Sequence, residues 1–212
     1  MTVWLPSGFS AETQTVVRRS RFITRLARVE TEDAARAVAA EVRAQHPEAR
    51  HHCLAFVVDV PGAHRIERSS DDGEPAGTAG MPMLEVLRDS GVSNVVAVVT
   101  RIFGGVLLGT GGLVRAYSDA VSRALAEAPL VRPVARHLLR LEVPPSDAGR
   151  LQGALLNRGV DVVDADWGDS VLLTLAVADP HTALTVVREV AQSEIELVAL
   201  GCQVVEEPIE GQ

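Results

Sequence analysis

From Arg101 to Tyr117 the chain reads Arg-Ile-Phe-Gly-Gly-Val-Leu-Leu-Gly-Thr-Gly-Gly-Leu-Val-Arg-Ala-Tyr. Five glycines fall within nine residues, Gly104 to Gly112, behind the apolar run Val95–Val99 and ahead of an Ala- and Leu-rich stretch. Strand, glycine-rich turn and helix in that order let backbone N–H groups face an anion, because the first turn of a helix has donors with no partner inside it. Glycine also allows positive φ and close backbone approach. The candidate anion-binding residues are therefore Arg101, Gly104, Gly105, Gly109, Thr110, Gly111, Gly112 and Arg115. Phe103 and Tyr117 flank the turn and are candidates for stacking on a base, with core packing the competing role for Phe103. A purely architectural reading stays open, in which the glycines turn the chain sharply and let the helix pack on the sheet.

A second polar segment runs from Ser69 to Gly80 and holds Asp71, Asp72, Gly73 and Glu74. Three carboxylates at that spacing could hold a hard cation such as magnesium. They could equally be turn chemistry, or pair with Arg101 or Arg115 and position them. His51-His52-Cys53 resembles a ligand cluster, but neighbours on a strand point to opposite faces, so the two imidazoles are expected to be structural. No nucleophile triad is apparent, no metal or cofactor is expected, and Cys202 reads as a small core residue.

All 20 basic side chains are arginine. Without a lysine there can be no Schiff base and no P-loop, and the dinucleotide pattern G-x-G-x-x-G is also missing. The net charge is −8, unevenly placed: residues 1–130 carry 14 Arg against 15 acids, and residues 131–212 carry 6 against 13. An anionic ligand thus belongs to the first part, and the acidic second part could dock a basic protein. Two distant cysteines, no apolar run of about 20 residues and no signal-like start suggest a cytoplasmic protein away from membranes.

The elements that must hold these residues follow from periodicity. Strands are expected at 20–29, 52–60 and 94–100, and helices at 33–45 behind a Thr31 cap, at 81–89, and from a Thr110 cap to about Ala128. Pro129 and Pro133 mark a boundary between domains at 1–130 and 131–212. Beyond it come a strand (134–143), a helix opened by Ser146-Asp147, strands at 160–166 and 170–178, a helix from Pro180 to about Ser193, and a strand at 195–205, before an acidic tail. That order, β-α-β-β-α-β, is the ferredoxin-like sandwich.

Ser20-Arg-Phe-Ile, Arg50-His-His-Cys, Asp71-Asp-Gly-Glu-Pro-Ala-Gly-Thr-Ala-Gly80, Arg101-Ile-Phe-Gly-Gly and Leu108-Gly-Thr-Gly-Gly-Leu-Val-Arg-Ala-Tyr117 together resemble the YigZ/IMPACT family, in its bacterial two-domain form. The resemblance implies an α+β protein. Its N-terminal domain would be a ribosomal-protein-like α/β fold similar to the fourth domain of elongation factor G. The ferredoxin-like C-terminal domain would be similar to that factor's fifth. It implies a link to regulation of translation, with RNA or the ribosome as partner. Two departures stand out: Ile102 replaces a usual aromatic, which weakens base stacking, and Arg115 replaces a lysine, which keeps the charge and adds bidentate geometry. The reading is a non-enzymatic, translation-associated regulatory protein that binds nucleic-acid phosphates or a ribosomal surface through its N-terminal domain. The alternative is a magnesium-dependent enzyme acting on a phosphorylated small molecule or nucleotide.

Overall fold

The computed structural model describes residues 2–191 and 195–209. It is an α+β protein with two sheets. The chain divides into two compact units, one running from the N-terminus to Arg132 and rejoined from Glu207, the other spanning Pro133–Glu206.

Unit 1 is built on a five-stranded antiparallel sheet. In chain order its elements are β1 (Val3–Trp4), β2 (Ser10–Val17), β3 (Ser20–Arg28), α1 (Glu32–Gln45), β4 (His51–Val58), β5 (Ile66–Ser70), α2 (Gly80–Ser90), β6 (Val92–Ser93), β7 (Val95–Ile102) and α3 (Thr110–Glu127). The sheet order is β2-β3-β7-β4-β5. β7 lies in the middle, covered on both faces, which is why it reads as an unbroken apolar run rather than an alternation. On one face Cys53, Ala55, Val57, Val95, Ala97 and Val99 pack against α2 and α3. On the other Phe56, Val58, Val96 and Val98 pack against α1 through Ala35 and Val42. β1 pairs in parallel with β6, and Trp4 also pairs with Val131 at the start of β8 (Val131–Val143).

Several local signals behave as expected. Thr31 caps α1, its hydroxyl accepting from the Ala34 N–H at 3.1 Å, with Glu32 and Asp33 in the first turn. Gly91 closes α2 in the left-handed conformation. Thr110 does not cap α3. The cap is Gly109 at φ 71°, no side chain satisfies the first turn, and Thr110 is the first helical residue.

Unit 2 holds the rest of β8, then α4 (Pro145–Leu156), β9 (Asp161–Trp167), β10 (Val171–Val177), α5 (Pro180–Ala191) and all but the last two residues of β11 (Leu197–Pro208). The strands run β11-β8-β10-β9, with β10 antiparallel to both neighbours. Leu139, Leu141, Leu173 and Leu175 form its core with Leu151 and Leu155 of α4 and Val187 of α5. The expected end of α5 at Ser193 and the chain end beyond 209 lie outside the described residues.

Four strands went unforeseen, the two-residue β1 and β6 and two longer ones. β2 alternates Ser-Ala-Glu-Thr-Gln-Thr-Val-Val with small and polar residues, and so carries little apolar signal as an edge strand. β5 overlaps the segment expected to be a polar loop; it too is an edge, paired only with β4.

Candidate functional site

The glycine-rich turn leaves the end of β7 and enters α3, and the Asp71–Glu74 loop lies beneath it. Arg101, the last but one residue of β7, is buried, with its side chain 8% exposed. Its Nη1 donates to both oxygens of Glu74, at 2.8 and 3.0 Å. Tyr117 on α3 is fully buried and donates its hydroxyl to the same Glu74 oxygen at 2.8 Å. Phe22 meets the Tyr117 ring edge-on at 5.2 Å. Burial pushes the Tyr117 phenol above its ordinary range, and the charges of Cys53 and Glu74 push the same way. Glu74, Arg101 and Tyr117 thus tie the acidic loop, the central strand and α3 into one frame.

Two expectations are corrected here. Arg101 does not present a free guanidinium to an anion, because its charge is neutralised by a buried carboxylate. Tyr117 offers no face to a base, because it is enclosed in the core.

The acidic loop is equally committed to its own protein. Asp71 accepts from the N–H groups of Gly77 (2.7 Å), Ala79 (3.0 Å) and Gly80 (2.8 Å), bracing the entry to α2. Asp72 accepts from Arg43 at 2.8 Å and from the His52 N–H at 2.6 Å, with Gly73 completing the turn at φ 85°. Burial alone would raise both carboxyls, but these donors outweigh it and hold them below their ordinary value. Every oxygen of Asp71, Asp72 and Glu74 therefore has a protein donor, and a cation at this loop would compete with the bonds that brace it. Among the described residues no cluster of His, Cys, Asp and Glu is suited to a metal ion.

The histidines are structural on one side. His52 sits in the core with Nε2 3.1 Å from the His46 carbonyl, and burial lowers its pKa. Cys53 donates to the Asp71 carbonyl at 3.0 Å, and burial pushes its thiol up to about 12. Cys202 is exposed rather than a core residue.

What the turn shows to solvent is different. Phe103 is 55% exposed and Leu107 80%, with Val106 and Val114 also exposed. The Arg101 guanidinium lies 5.7 Å from the Phe103 ring centroid, a cation–π contact that seats the ring. Beside them is a cleft of about 630 Å³ lined by Glu48, Arg50, His51, Ile102, Phe103 and Leu107, with Arg101 in its wall. Gly109 and Gly111 have open space at their Cβ positions. The helix start is therefore accessible, and Arg115 follows it, exposed. Gly104 has a structural reason to be glycine: a Cβ there would overlap the backbone of Arg19 and Ser20, and its N–H meets Ser20 Oγ at 3.2 Å. Gly105, at φ 84°, needs the left-handed region.

That contact with Arg19 exposes what sequence reasoning missed. β2 and β3 are joined by a two-residue turn, Arg18-Arg19, with positive φ at both positions (45° and 68°). Such a turn matches the strand twist but normally takes Asn-Gly, since positive φ costs about 1 kcal/mol or more on other residues. Among the described residues, eight of the 14 arginines of residues 1–130 are in ion pairs. The six without an acidic partner are Arg18, Arg19, Arg21, Arg50, Arg68 and Arg115. Five of these gather at the glycine-turn end. The Arg18-Arg19 hairpin touches Gly104, Arg21 pairs with Ile102, Arg50 lines the cleft, and Arg115 follows the turn. The basic run Arg18-Arg-Ser-Arg21 was the available signal.

Known proteins are similar to this chain. Residues 18–125 match the family model of the Impact N-terminal domain. The chain is 41% identical to the IMPACT family member YigZ of Escherichia coli over 179 residues, which is 84% of this chain and 87% of that one. It is 39% identical to YvyE of Bacillus subtilis over 82% of this chain and 79% of the relative. A crystal structure of a hypothetical protein, 36% identical, covers 94% of this chain and 98% of its own with a TM-score of 0.59. The two-domain translational regulator Yih1 is similar at 30% identity over 56% of this chain and 47% of that one, with a TM-score of 0.40. No helix among the described residues is long and apolar enough to cross a membrane.

Proposed function

The chain belongs to the IMPACT family as a YigZ-type member, and from that premise we propose that it is a non-enzymatic, cytoplasmic, translation-associated protein that grips structured RNA or the RNA face of a ribosome through unit 1. Its first unit would correspond to the fourth domain of elongation factor G, and unit 2, with its β-α-β-β-α-β order, to a ferredoxin-like partner domain. The observation that carries the reading is the sorting of the arginines. Arg18, Arg19, Arg21, Arg50 and Arg115 are left without an ion-pair partner at the one end where the turn is exposed, while every other arginine of residues 1–130 except Arg68 is in an ion pair. Arginine clusters without acidic neighbours supply the sequence-independent phosphate contacts that dominate RNA affinity. Placing two of them on a turn whose backbone conformation is costly points the same way, since such a conformation persists only where the surrounding structure supports it. The accessible first turn of α3 adds backbone donors. Unit 2, which carries the acidic excess, would meet a basic protein and not the RNA.

The test is retention on ribosomes and on a structured RNA over a salt series, comparing wild type with Arg18→Ala/Arg19→Ala/Arg50→Ala/Arg115→Ala. Each lost phosphate contact lowers the slope of log affinity against log salt by about 0.7 to 0.9. A drop of about 3 across four arginines is expected. No retention at low salt, or an unchanged slope, refutes the reading.

A further inference from the structure

We propose that the cleft beside Phe103 receives one unstacked base of a single-stranded nucleic acid whose backbone runs over the arginines of the turn. The inference rests on the RNA-binding reading above and adds to it the chemical form of the ligand. Phosphate contacts alone would need neither a cavity nor an exposed aromatic ring, and this end of unit 1 has both.

The cleft, about 630 Å³, is the size of a small-molecule site rather than a surface dimple. Its lining combines three things a base requires. Phe103 supplies an aromatic ring that is 55% exposed although it follows directly on β7, and Arg101 lies 5.7 Å from its centroid. Because Glu74 fixes Arg101 with two hydrogen bonds, the ring rests on a rigid support and loses little freedom when a base stacks on it. Leu107 and Ile102 supply apolar flanks for the remaining ring edges.

His51 supplies direction. Its Nδ1 lies 3.0 Å from the Asp72 carbonyl, which can only accept, so in the neutral ring the proton is on Nδ1 and Nε2 is an acceptor. That acceptor suits a base amine or a ribose hydroxyl and not a phosphate. The phosphate partner is Arg50, on the same lining and without an acid of its own. An aromatic face, an acceptor and an unpaired arginine around one cavity match an unpaired nucleotide. An acidic peptide would use the arginine but leave the acceptor repelling it, and a duplex, with its bases stacked away, could not enter.

The experiment measures binding of a fluorescein-labelled 12-nucleotide oligoadenylate and of a blunt 12-base-pair RNA duplex at one low salt concentration. Wild type is compared with Phe103→Leu, which keeps an apolar side chain and removes the ring. Phe103 is half exposed, so the variant is expected to fold, and an unchanged thermal midpoint checks this. Losing a stacked base weakens single-strand binding about tenfold or more. The expected result is that loss for the oligoadenylate with the duplex affinity unchanged. If Phe103→Leu binds the single strand as wild type does, or weakens both probes equally, the base-in-cleft proposal fails while the RNA reading stands. If neither probe binds wild type, both fail.

Discussion

Glu74 is the acid around which the site is assembled, and its replacement tests whether the Arg101 pair is architecture or a ligand site. In Glu74→Gln the shape is retained and the Tyr117 hydroxyl keeps an acceptor, but the Arg101 charge loses its counter-ion. The two side chains are 3% and 8% exposed, so water cannot take over. Breaking a buried pair by removing one partner costs about 3–5 kcal/mol, whereas an exposed pair is worth under about 1 kcal/mol. We expect a loss of about 3 kcal/mol, toward the lower figure because the amide still accepts. At a urea dependence of about 1–3 kcal/mol per molar, that moves the midpoint down by about 1–3 M. The chain has two tryptophans, Trp4 in unit 1 and Trp167 in unit 2. In a Trp167→Phe background, Trp4 fluorescence therefore reports unit 1 alone. Trp4 is sensitive to its surroundings, lying 4.2 Å under the Arg28 guanidinium and donating to Ser93. The companion variant Glu74→Leu/Arg101→Met/Tyr117→Phe removes the whole polar cluster. Replacing a complete buried ion pair by apolar groups is often neutral, so it should lie much closer to wild type than Glu74→Gln does. A Glu74→Gln cost below about 1 kcal/mol, or a triple variant no better than the single, refutes the argument.

The glycines of the turn divide into two kinds. Gly104→Ala should destabilise unit 1 by about 1–3 kcal/mol, because the new Cβ meets the Arg19–Ser20 backbone, whereas Gly111→Ala should stabilise it by about 0.5–1 kcal/mol, with open space around it in α3; Trp4-monitored urea melts compare the two. The pH dependence has a definite sign. Burial depresses His52 below 6.5, and backbone and Arg43 donors, outweighing burial, depress Asp71 and Asp72 below 3.8. Each then contributes stability that is present above its unfolded value and lost as pH falls through the folded one. Unit 1 should weaken first as pH falls below about 6.5, and again below about 3.8. His52→Gln should remove the first step and Asp71→Asn should reduce the second, as read by denaturation at pH 7.5, 5.5 and 3.0. Finally, an aromatic disulfide reagent should modify one thiol per native chain, the exposed Cys202. Cys53, buried and with its thiol pushed up to about 12, should react only after unfolding.

How far the sequence could be read depended on whether a residue's role was local. Thr31, Gly91 and the apolar run of β7 act through their own neighbourhood, and periodicity and capping chemistry place them within a residue or two. The β-α-β-β-α-β order of unit 2 was legible for the same reason. β2 escaped because an edge strand packed on one face needs no apolar pattern. The site was misread in a more instructive way. The sequence offers Arg101 both as a ligand arginine, because it stands next to the glycines, and as a partner of the acidic loop; Glu74, 27 residues away, decides for the second, and nothing local could choose between the two. Arg18 and Arg19 were not among the candidate residues, because 85 residues separate Arg19 from Gly104, the glycine its backbone lies against. Charge in a sequence is only a sum; what matters at a binding surface is which charges the fold leaves unpaired. Here the fold neutralises Arg101, at the head of the motif, and leaves Arg115 and the four arginines around the turn without an ion-pair partner, so the glycine turn is best understood as the joint that brings five arginines and one exposed ring to the same end of the sheet.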